Sequence, residues 1–228
     1  LLLADEGQRE MMLRAFDLGA NDHLLRPLDP NELRARVRNQ IRRMRYQAQL
    51  QHDLDRSLEL AVTDQLTGLR NRRYLMRHLE ARLAASGPVA ALLLDVDRFK
   101  SVNDSLGHPA GDVVLQEVAQ RLRRHLRGAD VVGRYGGEEF LAVMAAAVPD
   151  DAVAVAERLR HAIAGEPMCV GDRLLPVTAS LGVAFALPGM TPETLIGAAD
   201  AALYRAKAGG RNRVELAVAA DWAAAVAS

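Results

Sequence analysis

Val89-Ala90-Ala91-Leu92-Leu93-Leu94-Asp95-Val96-Asp97 is the stretch on which the fold turns. Its first six residues are apolar without a break, the signature of a central strand covered on both faces. Carboxylates follow where that strand leaves the core. Residues two apart on a strand share a face, so Asp95 and Asp97 can address one point, as a hard cation with oxygen ligands requires. Two acids in a surface turn would read the same way.

Working outward, the spacing predicts helices over 72–85, 111–126, 150–164 and 192–208, with strands over 89–97, 168–170, 176–186 and 213–216. Val131–Tyr135 and Glu139–Met144 read as a hairpin. Between them stands Arg134-Tyr135-Gly136-Gly137-Glu138-Glu139-Phe140. The glycine pair suits the positive φ angles of a tight turn and clears side chains from a surface a ligand can approach. Glu138 at the tip, beside the Asp95 strand, would complete an anionic pocket able to hold Mg²⁺. Helices mixed with antiparallel pairs predict an α+β fold, one antiparallel-rich central sheet with packed helices.

Before this region the texture differs. Helix 8–18, a Gly19–Asp22 turn and strand His23–Leu25 read as half of an α/β unit, and the chain is expected to begin inside a domain. From Asn31 to Val62 there is neither Gly nor Pro. Leu33, Val37, Ile41, Met44 and Ala48 form a narrow apolar stripe suited to helix pairing in a dimer. Arg34, Arg36, Arg38, Arg42, Arg43 and Arg45 on this helix fit either a solvated face or a nucleic-acid arm. Lys+Arg and Asp+Glu both total 29, so net charge points to neither nucleic acid nor an anionic membrane. The one cysteine, Cys169, excludes an internal disulfide, favours a cytoplasmic setting and reads as a small buried residue. No apolar run approaches the roughly 20 residues that span a bilayer.

Residues 61 to 216 resemble the GGDEF family of diguanylate cyclases. The resemblance rests on five segments in order: Asp64 to Arg73, Asp95 to Lys100, Asn103 to His108 with Gly111-Asp112, Gly136 to Phe140, and Lys207 to Asn212. Glu138 stands where the family signature often has Asp. The resemblance implies condensation of two GTP into cyclic di-GMP and two pyrophosphates, with Mg²⁺ or Mn²⁺ held by Asp95, Glu138 and the Val96 carbonyl. Glu139 is implied to assist a second metal or the attacking hydroxyl. Asn103 and Asp112 would read guanine, while Lys100, Lys207, Arg211 and the backbone near Phe99 would offset triphosphate charge. Cation placement at a helix end before Gly209-Gly210 is the plain alternative for Lys207 and Arg211. Because one domain presents one GTP, a two-fold homodimer is implied. Arg127-Gly128-Ala129-Asp130 resembles the family's product-inhibition site, with Arg158 as a further contact.

Ala15 to Pro27 resembles the end of a response-regulator receiver, with Arg26 where receivers that switch by phosphorylation usually carry Lys. The expected organisation is a receiver fragment over 1–45, a helical linker over 46–62, the cyclase domain over 63–216 and a tail over 217–228. A silent GTP or cyclic di-GMP sensor and a DNA-binding regulator are the competing classes. The first would lose some of the six residues Asp95, Lys100, Asn103, Asp112, Glu138 and Glu139, all of which are present. The second lacks a DNA-binding motif.

Overall fold

The structure is a computed structural model that describes residues 2–5, 9–19, 22–85, 87–145 and 149–222. The chain divides into two compact units, Leu1–Glu59 and Leu60–Ser228. In the first, β1 (Leu2–Ala4) and β2 (His23–Leu25) pair in parallel, and α1 (Arg9–Asp17) supplies the crossover that parallel strands need. Ala4 and Leu24 are buried there. Then α2 (Pro30–Val62) runs for 33 residues from a proline at its first position, and Arg36 links Glu32 and Asp22 across its start. Val37, Ile41 and Met44 are 36%, 44% and 67% exposed, so this stripe is uncovered within the chain.

The second unit is built on a six-stranded sheet. Its strands are β3 (Arg70–Asn71), β4 (Val89–Val96), β5 (Val131–Arg134), β6 (Glu139–Ala145), β9 (Ala179–Phe185) and β10 (Val214–Leu216), ordered β10-β9-β4-β6-β5-β3. The central β4 pairs antiparallel with both β6 and β9. Parallel pairs occur at the two edges, β3 with β5 and β10 with β9.

The alternation of β4 explains why its apolar run is continuous. Ala90, Leu92 and Leu94 enter one core with Val114, Val118 and Leu122 of α5 (His108–His125) and Val155 and Leu159 of α6 (Pro149–Ala164). Val89, Ala91 and Leu93 enter the other core, with Leu75 and Leu79 of α3 (Arg72–Ala84) and Leu195 and Leu203 of α7 (Pro192–Ala208). At Gly182 a Cβ would fall 2.0 Å from the Ala199 carbonyl oxygen, which is how α7 lies so close on β9.

The expected α+β sandwich is therefore present, with three additions. A separate helix, α4 (Phe99–Leu106), precedes α5, and Gly107 at φ 83° divides them. A short ribbon forms from β7 (Met168–Val170) and β8 (Arg173–Leu175), and β3 adds an edge. The expected strand 176–186 begins only at Ala179, and the helix expected from 111 begins at His108. Cys169 is exposed, against expectation, because alternation along β7 buries Met168 and turns its neighbour outward. Of the expected tail, 219–222 form one helical turn, where buried Asp221 pairs with Arg205 and accepts from Val218 N at 2.6 Å. The remainder, 223–228, lies outside the described residues.

Candidate active site

The strand register brings the acids together. Asp95 is the penultimate residue of β4, opposite Glu139 on β6 and Ser180 on β9. Past the pairing, Val96 N donates to the Glu138 carbonyl at 3.2 Å, so the hairpin tip is fastened to the end of β4. The hairpin closes with Tyr135 N and Gly136 N both donating to the Glu139 carbonyl. Neither Gly136 nor Gly137 has a positive φ, so the turn does not need glycine for that reason. Gly136 makes room instead, since a Cβ there would sit 2.3 Å from the Glu139 carboxylate.

Arg134 braces the tip. Its guanidinium donates to the Gly137 carbonyl at 2.7 and 3.1 Å and reaches the Asp64 carboxylate at 3.4 Å. Asp64 also accepts from Thr67 N and Oγ1. On the hairpin's other side the Arg72 guanidinium lies 4.7 Å from the Tyr135 ring centroid. Sequence reading gives these four residues no such roles. The pairs join distant parts of the chain, and a single sequence carries no signal for them.

The electrostatics are those of crowded acids. Burial pushes the Asp95 carboxyl above its ordinary value, against the pull of Lys207, whose Nζ lies 2.8 Å away. Burial likewise pushes Glu138 and Glu139 up, and the Asp95 charge adds to the shift of each. Among the described residues no three His, Cys, Asp or Glu side chains enclose a metal by themselves. Two carboxylates and a strand-end carbonyl still suit Mg²⁺, which takes few protein ligands and completes its shell with water and phosphate.

Asp97 does not join this group. Its carboxylate accepts from Thr178 Oγ1 and Ser180 Oγ, each at 2.7 Å, and from Asn212 N at 3.0 Å. The strand ends at Val96, so Asp97 turns toward β9 and anchors the loop after α7.

Asn103 on α4 faces α5. Its Oδ1 is buried without a hydrogen-bond partner, and a Cβ at Gly111 would come within 2.0 Å of it. A buried carbonyl oxygen lacking a donor is a group that a ligand N–H would satisfy. Asp112 is exposed one residue on, as is Lys100. Helix α4 starts from Arg98 at φ 55° with no side-chain cap, which leaves N–H groups of its first turn, Phe99 among them, without such a partner. Lys207 and Arg211 flank the exit of α7, and the Arg211 charge reaches Asp95.

The other predicted site lies beyond β5. Arg127 N donates to the Asp130 carboxylate at 3.3 Å in an exposed turn. The Arg158 guanidinium donates to the His125 carbonyl at 2.9 and 3.2 Å, so α6 holds this cation beside the turn.

An α+β sheet thus gathers acids at the end of its central strand, with cations facing them and a buried, partnerless amide oxygen on α4. The family model described as "Diguanylate cyclase, GGDEF domain" matches residues 61–213, and the chain belongs to that family. It is 50% identical over 94% of its length to the response regulator PleD of Caulobacter vibrioides, of which it spans about half, 49%. It is 41% identical over 72% of its length to diguanylate cyclase DgcP of Pseudomonas aeruginosa, covering 25% of that protein. Among solved structures, the coiled coil and GGDEF domain of Caulobacter crescentus DgcB in complex with c-di-GMP superposes with a TM-score of 0.73 at 30% identity. The alignment covers 81% of this chain and 99% of that one. An active GGEEF domain of a Vibrio cholerae diguanylate cyclase, at 31% identity, TM-score 0.60 and coverage of 65% and 97%, is a relative described by Glu in the third signature position.

Proposed function

We propose that this chain forms half of a diguanylate cyclase active site, condensing two GTP into cyclic di-GMP with release of two pyrophosphates. The observation that carries it is the cluster of Asp95, Glu138 and Glu139 where β4 meets the hairpin, all three raised by burial, the two glutamates raised further by the Asp95 charge, with Lys207 directly on Asp95. Such a cluster suits a site that takes up positive charge with its substrate.

Asp95, Glu138 and the Val96 carbonyl would hold Mg²⁺ or Mn²⁺, which when bound neutralises phosphate charge and acidifies the attacking hydroxyl. The guanine would enter the recess between α4 and α5, where its N–H groups satisfy Asn103 Oδ1 and Asp112 accepts a second. Lys100, Lys207, Arg211 and the N–H groups at Phe99 would offset the triphosphate. Each ribose 3′-hydroxyl attacks the α-phosphorus of the other nucleotide, so two phosphodiester bonds form and two pyrophosphates leave, with Glu139 of each protomer assisting a second metal or accepting the proton of the attacking hydroxyl.

A single domain presents one nucleotide, so two protomers must face each other about a two-fold axis. The uncovered stripe of α2 supports this homodimer. Arg127, Asp130 and Arg158 would bind the product and inhibit, the guanidiniums contacting phosphate and base and the carboxylate accepting from a guanine edge. Residues 1–45 read as a receiver end used for dimerisation and 46–62 as the linker to a cyclase domain over 63–216. No helix among the described residues is long and apolar enough to cross a membrane. We place the protein in the cytoplasm, with GTP.

Incubation with GTP and Mg²⁺ over a range of protein concentrations, beside Glu138→Gln, tests this reading by mass spectrometry of the products. The parent should make cyclic di-GMP with activity rising faster than linearly in protein, and the variant should lose roughly 10³-fold or more. Binding of GTP and cyclic di-GMP without turnover, even with a dimerising helix added, would instead make the chain a nucleotide sensor.

A further inference from the structure

A cavity of about 490 Å³ opens on the face of α4 turned away from Asn103. It is bounded by α4, the β7–β8 ribbon and the loop 210–212 that follows α7. Val102, Leu106, Leu175 and Pro176 give it apolar walls, and Leu174, 68% exposed, extends them to the rim. Arg98, Arg173 and Arg211 also line it. Among the described residues none of these three guanidiniums donates a hydrogen bond or has a carboxylate within 4.0 Å. The one acid in the lining, Asp97, already accepts three hydrogen bonds.

The backbone around the cavity is unusual. Among the described residues, three positions other than glycine have positive φ: Arg98, Arg211 and Asn212, at 55°, 65° and 46°. All three line this one cavity. Left-handed conformations of such residues persist only where the surroundings hold them, and they gather where the chain approaches a ligand. The substrate side accounts for part of this, since Arg211 also reaches Asp95. It does not account for apolar walls, or for Arg173 on the β7–β8 ribbon.

We propose that this cavity is a second binding site, for an amphipathic organic anion: an aliphatic or aromatic body carrying one carboxylate or phosphate head. The body packs along Val102, Leu106 and Leu174, and the head meets Arg173 with Arg98 or Arg211, with Ser101 and Ser105 as further donors on the exposed side of α4. Because α4 and the loop after α7 form walls of both this cavity and the substrate side, an occupant shifts GTP affinity, and GTP shifts the occupant's affinity by the same factor. That coupling rests on the cyclase reading; the binding itself does not.

The test is therefore read first without nucleotide. ¹⁵N-labelled protein is titrated with octanoate and, separately, octyl phosphate, and amide shifts are followed. Saturable shifts at Ser101, Ser105, Leu174 and Asn212 are expected, and Arg173→Glu should weaken them roughly tenfold or more. Ser105→Trp, a surface change that fills the space, should abolish them. Saturation by octyl phosphate alone would assign a phosphate head, and saturation by both probes a general anion. Shifts confined to the α2 stripe, shifts indifferent to both variants, or no saturable shift in the millimolar range would overturn the proposal. Arg173→Glu should leave basal GTP turnover unchanged while removing any effect of the probe on the KM for GTP.

Discussion

Only the four residues of β5 separate the turn carrying Arg127 and Asp130 from the hairpin carrying Glu138 and Glu139, yet the two ends treat charge in opposite ways. At the turn, Arg127 and Arg158 stand in water, and the hydrogen bonds there run to a carboxylate and a carbonyl at the surface. At the hairpin, a buried Asp95 and two half-buried glutamates are drawn together, with Lys207 directly on Asp95. Under the proposed function, a turn that only binds product could leave its charges solvated. A hairpin that gathers a cation and a triphosphate would keep negative charge poised at some cost to the fold, and would rely on a rigid frame to hold it.

The sharpest way to break this contrast is to remove the frame. Asp97→Ala strands the hydroxyls of Thr178 and Ser180 and the N–H of Asn212, and should cost about 3 kcal/mol, lowering Tm by roughly 6–12 °C. Thermal and denaturant unfolding would show it. A loss under about 1 kcal/mol would mean that the acids are not framed by this network.

A smaller effect of opposite sign is expected at the cluster. Asp95, Glu138 and Glu139 are raised in the folded state from ordinary values of 3.8 and 4.5, so the stability they contribute is present below those values. It is lost as pH rises through the raised ones. The metal-free Glu138→Gln variant should then melt above the parent, by a margin that widens as pH rises above the ordinary glutamate value of 4.5 and through the raised one. Added Mg²⁺ should close the gap by stabilising the parent more. Calorimetry that found the margin narrowing with pH would contradict the assigned shifts.

The smallest change belongs to the exposed turn. Arg127→Ala should alter stability by no more than about 0.5 kcal/mol while abolishing inhibition by added cyclic di-GMP in progress curves. A large loss of stability would make the turn part of the frame and erase the contrast.

Sequence made some of this legible and hid the rest for physical reasons. The apolar run of β4, the period of α7 between its Thr191 cap and Gly209, and the Gly136 to Phe140 hairpin are local patterns, and each stands within a residue or two of its expected place. Helix α4 escaped because it starts from a left-handed arginine without a capping side chain and stops at Gly107 after eight residues. Asp95 and Asp97 look equivalent in a string of letters. They part only because β9 and the residue before it offer Ser180 and Thr178 to one, while α7 offers Lys207 to the other. The Arg134 link to Asp64 spans 70 positions, and nothing local announces it.

The ion pair of Lys207 with Asp95 carries a last consequence. A resident ammonium serves as this carboxylate's own counter-ion, so on the proposed reading a bare divalent ion would have to evict it and would gain little from doing so. A metal arriving on a triphosphate offers the displaced lysine a new anion at once. Under the proposed function the resting protein would be a lock with two simultaneous keys, nearly blind to fluctuations in free cation and responsive to the charged nucleotide that brings one along.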